Sequence, residues 1–146
     1  MSVFYANEFM AEVPEALLDR SINVFTLTTD GPSDLSIVVT RDALRAGEDL
    51  PGYIDRQLAT LQERLAQLRI RRREAAVVGG MAAERLEITW QTREGTVTQR
   101  QLAAVSPRGP VMTFSATFRG APTEPHASTF ETFLAGVRFY DAQGPR

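Results

Sequence analysis

The stretch LPGYIDRQLATLQERLAQL, residues 50–68, is the longest helical pattern in the chain and decides how the rest can pack. Its apolar side chains recur every three or four residues: Leu50, Ile54, Leu58, Leu61, Leu65 and Leu68. This stripe is typical of a helix that lays one face on a core. Glu48 and Asp49 precede it and Pro51 suits a first turn, so the sequence predicts a helix start here.

Gln57 borders the stripe, one helical turn from both Ile54 and Leu61. A glutamine there is either a hydrated rim residue or a polar group that faces a binding partner. Helical spacing favours the rim residue and leaves the second interpretation open.

Strand patterns surround the helix on both sides. Before it, SINVFTL (21–27) carries bulky groups on both faces and LSIVVT (35–40) is rich in β-branched residues. Alternating stretches joined by glycine-containing turns follow the helix, at residues 81–90, 96–105 and 111–118. A capping-box pattern at Ser128 precedes a short final helix, and residues 141–146 resemble a frayed tail. This order predicts a single α+β domain, residues 1–146, with a largely antiparallel sheet.

Composition excludes several classes of protein. The chain has 146 residues, 43% of them hydrophobic, a formal net charge of −2 and no cysteine. No disulfide framework or zinc knuckle can therefore form, and the charge gives no reason to bind nucleic acid. The N-terminus has no secretory pattern and no run reaches the length of a membrane span. We expect a cytoplasmic protein without stable membrane insertion.

The sequence offers few candidate catalytic residues. His126 is the only histidine, in a proline-flanked stretch that predicts an exposed loop, and no cluster has the spacing of metal ligands. The arginines at 69 and 71–73 fit a solvated strand edge better than a phosphate-binding surface. We therefore expect no enzyme activity, no cofactor, no metal and no nucleic acid.

Side-chain amides stand among apolar residues at Asn23, Gln57, Gln99 and Gln101. An amide both donates and accepts hydrogen bonds without carrying charge, which suits a groove for an apolar partner. The competing interpretation is that these residues form the hydrated face of a sheet, and the sequence alone favours it.

A series of short motifs runs through residues 5–118 in a fixed order. The motifs are Tyr5-x-Asn7-Glu8, Pro14, Asp19-Arg20-Ser21-Ile22-Asn23-Val24-Phe25, Thr40-Arg41, Tyr53-x-x-Arg56-Gln57-Leu58, Gly80 and Gln99-Arg100-Gln101. Their order and spacing resemble the DcrB-like family, and most closely its Eag chaperones of bacterial type VI secretion. The chain departs from that pattern at Leu17-Leu18, where the family has an aromatic residue before the aspartate.

The resemblance implies a PsbP-like fold with a curved sheet, a homodimer, and a concave face that holds the N-terminal transmembrane helices of a secreted effector until export. Carried over residue by residue, it implies a client-binding groove formed by Ile22, Val24, Gln57, Leu65 and Gln101. Burial of an apolar client helix in such a groove is favourable by roughly 25 cal/mol per Å². The alternative is a module that binds a small molecule or lipid in the same concavity.

Overall fold

The computed structural model describes residues 2–141, so the predicted frayed tail lies outside them except for Asp141. In chain order the elements are β1 (Ser2–Tyr5), β2 (Met10–Val13), β3 (Asn23–Thr26), β4 (Leu35–Asp42), α1 (Leu50–Arg64), β5 (Arg69–Val78), β6 (Met81–Thr92), β7 (Gly95–Val105), β8 (Val111–Arg119) and α2 (Glu124–Ala135).

Two antiparallel sheets contain all of these strands. Strands β1 and β2 form an N-terminal hairpin, and the other six form one sheet in the order β3-β4-β8-β7-β6-β5. Every strand pair in the larger sheet is antiparallel. The predicted α+β class, with an antiparallel sheet, one long helix and a C-terminal helix, is confirmed.

One face of the six-stranded sheet, the α2 face, is covered by α2. Phe130 and Leu134 of this helix are buried against apolar residues that alternate along the strands. The sheet residues of this core are Leu35, Ile37, Val39, Val78, Ala83, Leu102, Ala104, Phe114, Ala116 and Phe118. The alternation predicted for β8 is confirmed, since Phe114, Ala116 and Phe118 all lie on this side.

The opposite face, the α1 face, is only partly covered by α1. Tyr53, Ile54 and Leu58 of the helix form a second core with sheet residues Leu86, Ile88, Ala103 and Val111. The neighbouring positions of this face on β3 and β4, and those of β8 beyond Val111, are half-buried or exposed. The part of the α1 face toward β3 thus lacks a helix above it.

Helix α1 begins as predicted and ends earlier. The Asp49 side chain accepts a hydrogen bond of 2.9 Å from the Gly52 N–H, which caps the N-terminus. The last helical residue is Arg64 and Leu65 is already the extended C-cap, so the helix stops four residues before Leu68. Gln67, beyond the end of the helix, has a φ of 55°, a left-handed conformation two residues before β5 begins at Arg69.

Two predicted boundaries were wrong. The strand predicted at residues 21–27 pairs only at Asn23–Thr26. The capping box at Ser128 is also wrong, because α2 starts at Glu124 with Thr123 as its N-cap, which places His126 in the first turn and not in a loop. Pro125 near the helix start explains this, since its fixed φ suits a first turn.

Candidate functional site

A cross-strand row on the α1 face joins the two ends of the predicted groove. Val24 pairs with Val38, Val38 with Ser115, Ser115 with Gln101, and Gln101 with Leu86. Directly paired residues point to the same face of an antiparallel sheet. Val24 therefore lies at the uncovered end of the row, and Leu86 lies under α1 at the other.

A cleft of about 160 Å³ opens where the edge of α1 meets this row. We call it the glutamine cleft, because both predicted glutamines line it. Its lining residues are Thr40, Tyr53, Ile54, Gln57, Leu58, Leu61, Leu86, Gln101, Thr113 and Ser115. The structure therefore brings Gln57 and Gln101 together from a helix and a strand distant in sequence.

The two glutamines differ in their hydrogen bonds. The Gln101 side-chain amide donates to Oε1 of Gln99, whose own amide donates to Thr117 Oγ1 at 3.0 Å. Within residues 2–141 the half-buried side chain of Gln57 has no hydrogen-bond partner. Gln57 thus keeps its donor and acceptor capacity, and Gln101 keeps its carbonyl oxygen.

Ile22 and Val24 are both 60% exposed, so neither belongs to a closed core of the chain. Ile22 precedes β3 and lines a second, wider cleft of about 790 Å³, the Ile22 cleft, with parts of residues 18–22, 40–44 and 109–110. Thr40 lines both clefts, which makes them neighbours on one surface.

The segment before Ile22 is fixed by local hydrogen bonds. The Asp19 carboxylate accepts bonds from both the backbone N–H and the hydroxyl of Ser21, and these bonds hold the pKa of Asp19 below its usual value. Arg41 of β4 donates to the Ser21 carbonyl at 3.2 Å. The Asp-Arg-Ser motif therefore positions the chain as it enters β3.

Leu65 is the predicted site residue that stands apart. It is half-buried at the C-cap of α1, and it does not line the glutamine cleft, whereas Leu61, one turn earlier, does. Its place in the groove stays a prediction.

Three hydroxyl-bearing sheet residues line the cleft but were not among the predicted site residues: Thr40, Thr113 and Ser115. Their hydroxyl groups share the α1 face with Gln101, opposite the apolar row of β8. The alternation of hydroxyl and aromatic residues along β8 was the available signal, but it does not say which helix covers which face.

Polar contacts anchor the N-terminal half of α1 beside the cleft. Arg56 donates to both carboxylate oxygens of Glu48 at 2.9 Å, and this lowers the pKa of Glu48 to about 2. Burial, followed by the 3.0 Å hydrogen bond from its hydroxyl to Asp42, raises the pKa of Tyr53. Within Tyr53-x-x-Arg56-Gln57-Leu58, two residues hold the helix, Gln57 lines the cleft and Leu58 enters the core.

Arg73 of β5 forms a further anchor. Its guanidinium donates to Asp55 at 2.6 Å, to Glu84 at 2.7 Å and to the Pro51 carbonyl at 3.1 Å. The hydrogen bonds to Glu84 and then to Asp55 raise the pKa of Arg73. The contact ties the first turns of α1 to strands β5 and β6, which keeps Gln57 above the sheet.

The site offers apolar surface and hydrogen-bonding groups. Among residues 2–141 no three acidic, histidine or cysteine side chains come together to hold a metal ion. Neither of the two helices described in this range is long and apolar enough to cross a bilayer. What the surface presents is exposed Ile22 and Val24 next to amide and hydroxyl groups.

Solved structures share the fold. PA94, a Pseudomonas aeruginosa protein of unknown function, matches with a TM-score of 0.78 and 26% identity, covering 100% of this chain and 97% of that one. The cyanobacterial PsbP of Synechocystis sp. PCC 6803 matches with a TM-score of 0.56 and 12% identity, over 95% and 92% of the two chains. The predicted PsbP-like fold is confirmed.

Sequence comparison adds a relative and a family. Effector EagT6 of Pseudomonas aeruginosa is 34% identical over 96 residues, 65% of this chain and 66% of that protein, slightly less than two thirds of its length. The DcrB family model matches residues 8–136, nearly the whole described chain. With its fold and motif order in agreement, the chain belongs to the DcrB family.

Proposed function

We propose that this protein is a chaperone or adaptor of type VI secretion, which binds the N-terminal transmembrane helices of a cognate effector and shields them before export. The observation that carries the proposal is the uncovered part of the α1 face. There Ile22 and Val24 expose more than half of their surface beside the two clefts. The similarity to Effector EagT6 supports a role with a secreted effector.

An apolar helix explains why these side chains stay exposed in the free protein. A helix is about 10 Å across, and the row from Val24 to Gln101 spans three strand spacings, about 14 Å. A client helix lying there would be in contact with aliphatic groups on one side and amides on the other. Each 100 Å² of apolar surface removed from water contributes about 2.5 kcal/mol.

The amides and hydroxyls of the glutamine cleft provide hydrogen bonds to the client, in addition to the apolar contact. Helices in a membrane associate through close packing and through hydrogen bonds between polar side chains. Gln57 and Gln101 take the place of a neighbouring membrane helix. Their side chains offer hydrogen bonds to polar groups of the client, or to the client backbone near small residues. Because holding a client requires no turnover, the site needs no nucleophile, metal or cofactor.

The proposal includes a cytoplasmic homodimer as the working form. An effector must be held before it leaves the cell, and two copies would double the apolar surface offered to paired client helices. The client is expected to carry these helices near its N-terminus and to accumulate poorly without the chaperone.

Co-expression with candidate effectors tests the function. A full-length effector with apolar N-terminal helices should be pulled down by this protein, and the same effector without those helices should not. Equal capture of both forms would contradict the binding of transmembrane segments. A small ligand found by native mass spectrometry in the free protein would favour the alternative binding module, although the glutamine cleft of about 160 Å³ is smaller than the usual 300–1,000 Å³ of such sites.

A further inference from the structure

Gln99 of β7 lies beside the glutamine cleft and is hydrogen-bonded at both ends of its side-chain amide. Its oxygen accepts a bond from the Gln101 amide, and its own amide donates to Thr117 Oγ1 at 3.0 Å. Thr117 is its direct cross-strand partner, so the three side chains share the α1 face. Gln99 and Thr117 are half-buried and do not line the cleft, so Gln99 touches the cleft through Gln101.

These bonds set which end of the Gln101 amide faces away from Gln99. A glutamine amide has an oxygen acceptor at one end and a nitrogen donor at the other, and a half turn of the amide exchanges them. Thr117 holds the Gln99 amide with its oxygen toward Gln101, and the Gln101 nitrogen donates to that oxygen. Turning the Gln101 amide over would bring two oxygens together and lose this bond. Within residues 2–141 no group donates to the Gln101 oxygen, so this end is an acceptor without a donor.

Gln57, on the helix side of the cleft, is not held in this way. Its side chain has no hydrogen-bond partner among residues 2–141, so its amide can present either end to a client. The hydroxyl groups of Thr113 and Ser115 can rotate as well. Gln101 therefore differs from Gln57 because its acceptor is directed before a client arrives.

We propose that Gln99 is a positioning residue that directs the Gln101 oxygen, so that the groove selects client helices with a hydroxyl side chain facing Gln101. This inference rests on the proposed function and defines its client more closely. In a helix the backbone N–H groups beyond the first turn are already bonded within the helix, so the donor must be a side chain. Serine and threonine are small enough for close packing between apolar helices. A purely aliphatic client helix would cover the Gln101 oxygen without giving it a donor, which weakens binding.

Nuclear magnetic relaxation of the Gln101 side chain tests the positioning without a client. In the free protein the ¹⁵N order parameter of Gln101 Nε2 should be well above that of Gln62 Nε2, because Gln62 is exposed. Gln99→Leu removes the acceptor and should lower the Gln101 value to that of Gln62. Gln99→Glu keeps an oxygen acceptor and should retain the high value. A Gln101 amide that is as mobile as that of Gln62 in the wild type overturns the proposal.

Synthetic helices test the selection. The probe is an alanine–leucine helix of about 20 residues, the length of a membrane span, with lysines at both ends and one variable central residue. This residue is serine, which donates and accepts, or O-methylserine, which accepts without donating. Isothermal titration should show about fivefold tighter binding of the serine peptide to the wild type.

The variants of Gln99 should change this preference in a defined way. Gln99→Leu should abolish it, because a released Gln101 amide can turn its nitrogen toward the ether oxygen. Gln99→Glu should retain it. The added methyl group is the same for every protein variant, so a change in the ratio of the two affinities reports the hydrogen bond.

Gln91→Leu is the matched control. Gln91 Nε2 donates to Thr96 Oγ1 at 2.8 Å between β6 and β7, and neither residue lines the cleft. Its loss should change neither the Gln101 order parameter nor the preference for serine. Thermal melts verify that each variant is folded. Thr117→Val, which removes the anchor of Gln99, gives a second variant and should lower both quantities.

The outcomes separate this inference from the proposed function. Equal binding of the two peptides to the wild type overturns the selection, and the binding of apolar helices stands. A preference for serine that survives Gln99→Leu and Thr117→Val in folded proteins overturns the role of Gln99 and again leaves helix binding intact. A wild-type protein that binds neither peptide contradicts both the selection and the shielding of apolar helices.

Discussion

Val24 and Gln101 occupy one cross-strand row of the α1 face, separated by β4 and β8. They are 77 positions apart in sequence, and the register places them about 14 Å apart on the same side of the sheet. One residue is an exposed aliphatic group and the other a half-buried amide beside α1. The surface between them is the part of the sheet that a client helix would cover.

A charge at the uncovered end of this row should block client binding without unfolding the free protein. Val24→Asp places the carboxylate at a position that is 60% exposed, so we expect a change in unfolding free energy of about 0.5 kcal/mol or less. In the complex the same charge would be buried without a partner, which costs several kcal/mol. Client capture should therefore fall at least a hundredfold in pull-down titrations.

Val39→Asp is the matched control for Val24→Asp. Val39 lies on the neighbouring strand and is buried in the α2 core, so its replacement should abolish cooperative folding. If Val24→Asp lowers the melting temperature as severely as Val39→Asp does, then Val24 is a core residue and the groove is assigned to the wrong surface.

The unpaired amide of Gln57 should contribute to affinity and little to stability. Gln57→Ala removes a side chain without a partner in the described chain, so the free protein should melt within a few degrees of wild type. In the complex the variant should lose about 1 kcal/mol of binding free energy per hydrogen bond, which raises the dissociation constant roughly fivefold. Isothermal titration with a solubilised client segment measures the effect.

Gln62→Ala provides the comparison on the same helix, since Gln62 is exposed and does not line the cleft. Its affinity for the client should equal that of wild type. Identical losses for Gln57→Ala and Gln62→Ala would indicate a general effect on α1, not a hydrogen bond to the client.

Local patterns predicted much of this architecture because strand and helix periods are set by nearby residues. Alternation along β7 separates Gln99 and Gln101 from Arg100, which pairs with Glu87 on the α2 face. The row from Val24 to Gln101 was beyond such patterns, because it depends on β4 pairing with β8, a contact between distant segments. The start of α2 was missed because two local signals competed, and Pro125 prevailed over the capping box at Ser128.

The ion pair between Glu48 and Arg56 should make stability depend on acid pH. The hydrogen bonds from Arg56 lower the pKa of Glu48 in the folded protein from 4.5 to about 2. Because the folded-state value lies below the unfolded one, the pair stabilises the fold above pH 4.5 and this stabilisation is lost as the pH falls toward 2. Glu48→Gln should therefore melt below wild type at neutral pH, and the two melting curves should converge over this range. A melting difference that does not change with pH would mean that the charge of Glu48 contributes nothing.

Among the arginines of β5, Arg73 should contribute most to the free energy of unfolding, because its side chain is hydrogen-bonded to α1. Arg73→Met removes the bonds to Asp55 and Pro51 and leaves the Glu84 carboxylate, only 15% exposed, without its cation. The second oxygen of Glu84 is already buried without a hydrogen-bond partner within residues 2–141. We expect a loss of about 2–3 kcal/mol in unfolding free energy, measured by urea titration.

Two variants separate the buried charge from a simple loss of packing around Arg73. Arg72→Met breaks the pair of Arg72 with Glu74, in which both side chains are largely exposed, and should cost about 0.5 kcal/mol or less. Adding Glu84→Gln to Arg73→Met removes the uncompensated charge, so the double variant should regain about 1 kcal/mol or more over the single one. Hydrogen exchange should also show faster opening of the first turns of α1 in Arg73→Met, since these turns lose their tie to the sheet. Equal destabilisation by Arg72→Met and Arg73→Met, with no recovery in the double variant, would mean that Arg73 acts as an ordinary surface residue and that α1 is held by its apolar stripe alone.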